Sequence, residues 1–472
     1  MKPTDIRAPD YFHKVVDCQW ACPAHTPVPE YIRLIAAGRY SDAYMINWRS
    51  NVFPGILGRT CDRPCEPACR RGRVEDGEKK EPVAICRLKR VAADYKSDIT
   101  PRLPKAPARK NGKRVALIGA GPASMAVARD LAPLGYDITL FDGDKKAGGM
   151  IRTQIPKFRL PESVIDEEVG YILGIGNIDF RAGQRIDSLK KVIGEKYDAI
   201  FVGTGAPRGR DLEIPGRQEA AKNIHIGIDW LSSVSFGHID KIGKRVIVLG
   251  GGNTAMDCCR TSRRLGGDDV KVIVRSGFEE MKASPWEKED AMHEGIPILN
   301  MLVPKEFTHK DGKLTGVLFE KVEAKYDEKG RRKLVPTGEP DQLFECDDVL
   351  VAVGQENAFP WIERDCGIEF DKWDMPKLDE VTFQSSNPRV FFAGDAAFGP
   401  KNIIWAVAQG HQAAISIDKL CNGEDLHQRP DPTVNLVSQK MGIHEWSYDN
   451  EVAPDERYRS EEHTSELQSQ ST

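Results

Sequence analysis

The sequence predicts an α/β protein in which one strand–turn–helix–strand unit occurs twice behind a small helical segment, and three observations predict it. Apolar strands run straight into glycine turns at Gly119 and again at Gly250, about 130 residues apart. Six of the 11 cysteines, Cys18, Cys22, Cys61, Cys65, Cys69 and Cys86, fall within the first 86 residues. Between these regions, Thr100 to Lys113 carries Pro101, Pro104, Pro107, Lys110 and Gly112, which is linker composition. A length of 472 residues leaves room for about three domains.

Composition removes several function classes. Lys and Arg total 67 against 71 Asp and Glu, a net charge of −4, so no global positive field draws the chain to nucleic acid or an anionic membrane. No apolar run reaches the roughly 18 residues of a membrane span, and the polar N-terminus lacks the apolar core of a signal peptide. The expected compartment is the cytoplasm. Thiols there stay reduced, so a dense group of cysteines points to metal before disulfides.

The N-terminal region comes first in the chain. From Val28 to Asn47, apolar residues recur at near-helical spacing (Val28, Tyr31, Ile32, Ile35, Ala36, then Ala43, Tyr44, Ile46), which predicts a mostly helical domain. Its cysteines run Cys18-x3-Cys22-Pro23, then Cys61-x3-Cys65-x3-Cys69, with Cys86 later. Thiolate sets flanked by proline favour an iron–sulfur cluster. Zinc is the alternative, with structural disulfides and buried free thiols behind it. Six cysteines supply one four-cysteine cluster and leave two over.

The first unit beyond the linker reads as a strand from Arg114 to Ile118, the turn Gly119-Ala-Gly121, and a helix from about Pro122 to Ala132. A second strand, Asp137 to Phe141, ends at Asp142. The same grammar returns at Arg245 to Leu249, Gly250-Gly-Gly252 and a helix to about Leu265; a strand from Val270 to Val274 then leads into Arg275. A dinucleotide pyrophosphate needs backbone N–H groups at a helix N-terminus, and side chains at the turn would block its approach. Gly119 and Gly121 meet that need with the small Ser124 in the third position, next to Pro122 and Ala123; Gly250, Gly252 and Ala255 meet it in the second unit, next to Asn253 and Thr254. Both units therefore read as Rossmann-like.

The residue after the second strand sets which nucleotide each unit takes. Asp142 suits ribose hydroxyls, as FAD or NAD requires, whereas the Arg275 guanidinium suits a 2′-phosphate. The first site reads as FAD and the second as NADPH; Arg275 is followed by Ser276 and not a second Arg, so NADH stays open. Two later strands favour flavin. Tyr197 to Val202 ends in Gly203-Thr204-Gly205, as if backbone lies against something flat, and Arg389 to Ala393 ends in Gly394-Asp395. Asp395 offers an acceptor to a ribitol hydroxyl, and a helix from Asn402 and Ile403 to Ala414 turns its N-terminus toward the electron-rich edge of the ring. The alternative for Asp395 is a helix cap. Cys258 and Cys259, adjacent on a helix, read as core and not as a redox pair.

These residues resemble the small (β) subunit of bacterial NADPH-dependent glutamate synthase, and the chain is similar to the N-terminal part of dihydropyrimidine dehydrogenase and, more remotely, to adrenodoxin reductase. The resemblance covers roughly residues 15 to 425. It rests on Cys22-Pro23, Gly-Arg-Thr-Cys61-Asp-Arg-Pro-Cys65-Glu-Pro-Ala-Cys69, Gly119-Ala-Gly121-Pro122-Ala123, Gly148-Gly149-Met150 with Ile155-Pro156, Gly250 to Asp257, Glu279-Glu280-Met281 and Gly394-Asp395. It implies a relay in which NADPH gives a hydride to FAD and electrons leave singly through iron–sulfur clusters to a partner. Gly149, Met150 and Gly354 join the cofactor-binding residues, and no catalytic side chain is implied. Relatives with two N-terminal [4Fe-4S] clusters carry a further Cys-x2-Cys before Cys18, whereas residues 1–17 here contain no cysteine. Cys86 falls where dihydropyrimidine dehydrogenase uses a glutamine ligand. The expectation is one [4Fe-4S] cluster on Cys22, Cys61, Cys65 and Cys86, with Cys18 and Cys69 left from a second.

The expected organisation is a helical iron–sulfur domain with its linker (1–110), an FAD-binding domain in two parts (111–216 and 354–426) around an NAD(P)H-binding domain (217–353), and a polar tail (427–472). The tail's end from Arg459 reads as an artefact, and whether the chain is a fragment of a longer protein stays open. The expected activity is an NAD(P)H-dependent flavin iron–sulfur oxidoreductase that feeds a redox partner subunit or a ferredoxin-like acceptor. The alternatives are a stand-alone flavin reductase of a ferredoxin or thiol, and a zinc-binding assembly subunit with structural cofactors.

Overall fold

The computed structural model describes residues 17–73, 81–327 and 330–430; the stretch read for a signal peptide (1–16) and the tail from 431 lie outside them. The chain divides into two compact units. One holds the residues up to Lys146, Ser163–Gly203 and those from Trp361 on; the other holds Ala147–Glu162 and Thr204–Pro360.

In the first unit the predicted helical stretch is two helices, Val28–Ala36 and Tyr40–Asn51. Gly38, at φ +72°, stops the first, and a left-handed residue ends a helix more easily than it continues one. Tyr31, Leu34, Tyr44 and Trp48 are buried from these helices, and Pro54–Thr60 and Ile85–Tyr95 complete the bundle. A five-stranded parallel sheet follows in the order Val390–Phe392, Ala199–Val202, Arg114–Ile118, Asp137–Phe141, Ile178–Arg181. Its central strands are continuously apolar because both faces are covered. The helix expected to end near Ala414 runs from Ile403 to Asn422 and stops at the left-handed Gly423; buried Ser416 and Ile417 carry its inner face beyond the expected end.

The second unit has its own parallel sheet, ordered Ile224–Ile226, Asp348–Val351, Arg245–Leu249, Asp269–Ile273, Ile298–Leu299. One face packs Val246 and Val248 on Met256, Cys258 and Cys259 of the helix Asn253–Arg264. The other packs Ile247 and Leu249 on Phe307 and Phe319. Those two aromatics belong to an antiparallel sheet of Leu302–Lys310, Lys313–Tyr326, Arg332–Pro336 and Gln342–Glu345, which the sequence reading did not foresee. Register shifts at Pro304/Glu306 and Thr308/His309 break the period-two pattern that would have announced it. No described helix is long and apolar enough to cross a membrane.

Candidate functional site

Both glycine turns form where the spacing puts them. In the first unit Gly119 takes φ +92° and Gly121 is the extended N-cap of Pro122–Leu131, whose first position needs no N–H. The Asp142 carboxylate holds this turn: Oδ2 accepts from Ala120 N at 2.6 Å and Oδ1 from Asp144 N at 2.8 Å. That role was not read from the sequence, and it leaves each oxygen a lone pair for a hydroxyl. A Cβ added to Gly121 would meet only Gly203 O, at 3.8 Å, so the space over the turn is open. Beneath it the packing is closed, for a Cβ on Gly203 would lie 2.3 Å from Ser124 Oγ. Ser124 is fully buried and its hydroxyl has no protein partner.

The C-terminal segment reaches the same turn. A Cβ on Gly394 would lie 3.2 Å from Ala123 Cβ, and Gly394 N donates to Gln409 Oε1 at 2.8 Å. Burial raises Asp395 to about 6, against the pull of the Lys401 N–H that its carboxylate accepts at 3.0 Å. Asn402 caps the helix that Ile403 opens: Oδ1 accepts from Trp405 N at 3.3 Å, and Nδ2 donates to Asp62 Oδ2 at 2.6 Å. The residue that caps this helix is thus bonded to the neighbour of Cys61.

In the second unit Gly250 has φ +141°, and a Cβ there would lie 2.2 Å from Ala352 O, so only glycine fits. Gly252 caps the following helix with nothing within 4 Å of its added Cβ. Asn253 turns its amide to Ser284, accepting from Ser284 N at 2.8 Å, while Thr254 is half-buried and Ala255 buried. Arg275 is exposed just past its strand, and Arg332 Nη2 donates to Arg275 O at 3.4 Å. This second guanidinium was missed; it lies 57 residues away and no local pattern links the two. Gly149 (φ +55°), which caps the turn of helix at Met150, Gly205 (φ +69°) and Gly354 (φ +128°) belong to this unit, as does Thr204. Gly354 O accepts from Arg210 N at 3.0 Å.

The second unit also holds a buried charge network with no signal in the sequence. Arg159, shortly after Ile155-Pro156, donates to both oxygens of Asp257 at 2.6 and 2.7 Å and pairs with Glu287, which Arg260 also engages at 3.2 Å. Burial lifts Asp257 to about 6 even though Arg159 pulls it down. Cys258 and Cys259 are packed in the core as expected: Cys258 bonds to Gly227 O and Cys259 to Met256 O, and burial pushes both thiols up.

All six N-terminal cysteines are buried, and none is in a disulfide. Cys61 closes Pro54–Thr60 and Cys86 opens Ile85–Tyr95, and helix packing brings the two together. Cys61 shares a hydrogen bond with Cys86, and Cys86 one with Cys65. The bond to Cys86, then burial, raises Cys61 well above the usual thiol range; Cys86 stands at about 12, the Cys61 bond lowering it while Cys65 and burial raise it. Cys18 is pushed to about 12 by burial and by its neighbour Cys69. Among the described residues no three His, Cys, Asp or Glu side chains are arranged to hold one metal ion. The charges of Cys86, Cys61, Cys65 and Cys22 nonetheless all bear on one buried lysine, Lys89.

Comparison with known proteins adds to this geometry. Residues 113–410 match the family model described as pyridine nucleotide-disulphide oxidoreductase, and residues 12–100 match dihydropyrimidine dehydrogenase domain II, 4Fe-4S cluster. The chain is 33% identical to the NADP(+)-dependent formate dehydrogenase subunit beta of Moorella thermoacetica, over 91% of this chain and 63% of that relative's length. It is 30% identical to the NADPH-Fe(3+) oxidoreductase subunit beta of Geobacter sulfurreducens, over 99% of this chain and 73% of the relative. With the glutamate synthase [NADPH] small chain of Azospirillum brasilense it shares 32%, covering 85% of each. Mycobacterium tuberculosis FprA in complex with NADPH has the same fold, with a TM-score of 0.56 at 18% identity over 67% of this chain and 85% of that one.

Proposed function

Because the chain belongs to the pyridine nucleotide-disulphide oxidoreductase family, we propose that it is an electron-input subunit, taking a hydride from NADPH onto FAD and delivering single electrons through a [4Fe-4S] centre to a partner redox subunit. Bound FAD supplies the conversion of a two-electron hydride into one-electron steps. The chain's own residues bind, orient and shield. Gly119, Gly121 and the start of Pro122–Leu131 present backbone N–H groups to the flavin nucleotide's pyrophosphate, with Asp142 on its ribose and Asp395 on its ribitol. Gly250, Gly252 and Asn253–Arg264 do the same for NADPH, whose 2′-phosphate meets Arg275. Cys22, Cys61, Cys65 and Cys86 hold the centre, and Cys18 and Cys69 stand outside it.

The observation that carries this reading is the seating of buried, unbridged thiols in the same unit as the first glycine turn, with Asp62, next to Cys61, hydrogen-bonded to Asn402 at the start of Ile403–Asn422. The named relatives include subunits of larger redox enzymes, which supports a partner subunit as the acceptor. A thiol-reductase reading has less to stand on, since Cys258 and Cys259 are sealed in the core. The test is anaerobic purification with analysis of iron, sulfide and flavin, then titration with NADPH and NADH. Iron, sulfide and flavin together, bleached by NADPH at lower concentration than by NADH, are the expected result. Zinc with no iron, or flavin that NADPH leaves oxidised, overturns the reading.

A further inference from the structure

Lys89 is 3% exposed and stands three residues after Cys86 on Ile85–Tyr95, on the same face of the helix one turn on. Lysine is almost never buried without a partner, and an unpaired ammonium at such depth costs several kcal/mol. Yet no carboxylate forms an ion pair with Lys89 among the described residues. The acids nearby are engaged elsewhere: Asp94 by Arg59 and Arg90, Glu66 by Arg63 and Cys86 N, and Asp62 by Asn402. Asp62 lies within reach of the ammonium's field, but its Oδ2 is taken by Asn402 Nδ2 at 2.6 Å and it makes no ion pair with Lys89. The groups that bear most strongly on Lys89 are thiols: Cys86 first, then Cys61, Cys65 and Cys22. Tyr31, fully buried and donating to Ile85 O at 3.1 Å, packs at the start of the same helix. A buried cation surrounded by four neutral thiols would be uncompensated; surrounded by metal-bound thiolates it is matched.

Resting on the cluster reading above, we infer that Lys89 is the built-in counter-charge of the four-cysteine centre and holds that centre's reduction potential up. The physical reason is Coulombic. An electron arriving at the centre adds one negative charge inside a low-dielectric pocket, next to a buried ammonium. No proton need accompany the electron, because the compensating charge is already there. Lys89 touches neither flavin nor nicotinamide in this account; it acts through the thiolates, as a positioning and tuning residue.

The test uses the whole chain, purified anaerobically, as wild type, Lys89→Met, which keeps length and loses charge, and Lys89→Arg, which keeps charge. Iron and sulfide content is measured first, then the midpoint of the centre by electron paramagnetic resonance during a redox titration. Expected is a fall in Lys89→Met equivalent to at least a tenfold change in the reduction equilibrium, about 59 mV for a one-electron couple, with Lys89→Arg close to wild type. An unchanged midpoint in an iron-replete Lys89→Met protein overturns the inference while leaving the cluster reading intact; absence of iron from the wild type overturns that reading itself. If Lys89→Met does not retain iron, Lys89→Gln takes its place in the titration. Loss of iron from both neutral variants with retention in Lys89→Arg supports the counter-charge role, and loss from all three reduces Lys89 to packing and refutes it.

Discussion

Glu168 gives the sharpest test of how the cysteine-rich helices are seated on the sheet of the first unit. It is fully buried on the helix Glu162–Leu173. Its carboxylate accepts from Tyr44 Oη at 2.7 Å, Gly55 N at 2.6 Å and Ile56 N at 2.9 Å, groups that belong to the N-terminal helices. Burial outweighs these donors and lifts its pKa from 4.5 to about 7. Because the folded value is the higher one, the native chain binds more protons than the unfolded chain between those limits, and stability falls as pH rises through the window. The difference between 4.5 and about 7, at about 1.4 kcal/mol per pH unit, makes that loss about 3 kcal/mol, most of it between about pH 5 and about pH 8. Glu168→Gln removes the titration. It turns an amide NH2 toward one of the three donors, at a cost of about 1–3 kcal/mol at the acid end. Urea unfolding of both proteins across this range should show the variant starting less stable and closing the gap by about 2–3 kcal/mol as pH rises. Titrations common to both proteins cancel in the difference. Parallel stability curves would refute the assignment of this buried proton to Glu168.

The remaining expectations concern the cofactor sites. Cys61→Ser should abolish iron binding whereas Cys69→Ser should retain it, measured as iron per chain; equal loss from both would move the centre onto a different set of thiols. Gly203→Ala places a Cβ 2.3 Å from Ser124 Oγ and 2.8 Å from Phe201 Cε1, overpacking that costs about 1–3 kcal/mol beneath the first turn. Flavin per chain after dialysis should fall, and full retention would show that this floor is not part of the site. Arg275→Ala should raise the KM for NADPH about tenfold, as loss of one charge-assisted contact predicts, and leave that for NADH within about twofold. Equal changes for the two nucleotides would remove Arg275 from 2′-phosphate recognition.

Much of this architecture was legible because its signals are local. A strand of four or five apolar residues, glycine at a turn that needs φ > 0, a small residue where helix meets strand and an acid or arginine after the next strand all lie within about 30 residues. The turns at Gly119 and Gly250 therefore formed where they were expected. Elements without such signals were misjudged or missed. The helix break at Gly38 was passed over because the apolar pattern resumes beyond it, and the antiparallel sheet from Leu302 to Glu345 was hidden by its bulges.

By itself, then, the sequence determined the doubled α/β unit, the nucleotide turns and the presence of a cysteine-rich segment, since each depends on residue type and on spacing along a few turns of backbone. Only the tertiary structure decided that the charges of Cys22, Cys61, Cys65 and Cys86 all bear on Lys89, that Glu168 receives the start of Pro54–Thr60, and that Asn402 reaches Asp62 across 340 residues of chain. Those pairings are set by which buried faces pack together, and a buried charge or donor takes whatever partner that packing delivers.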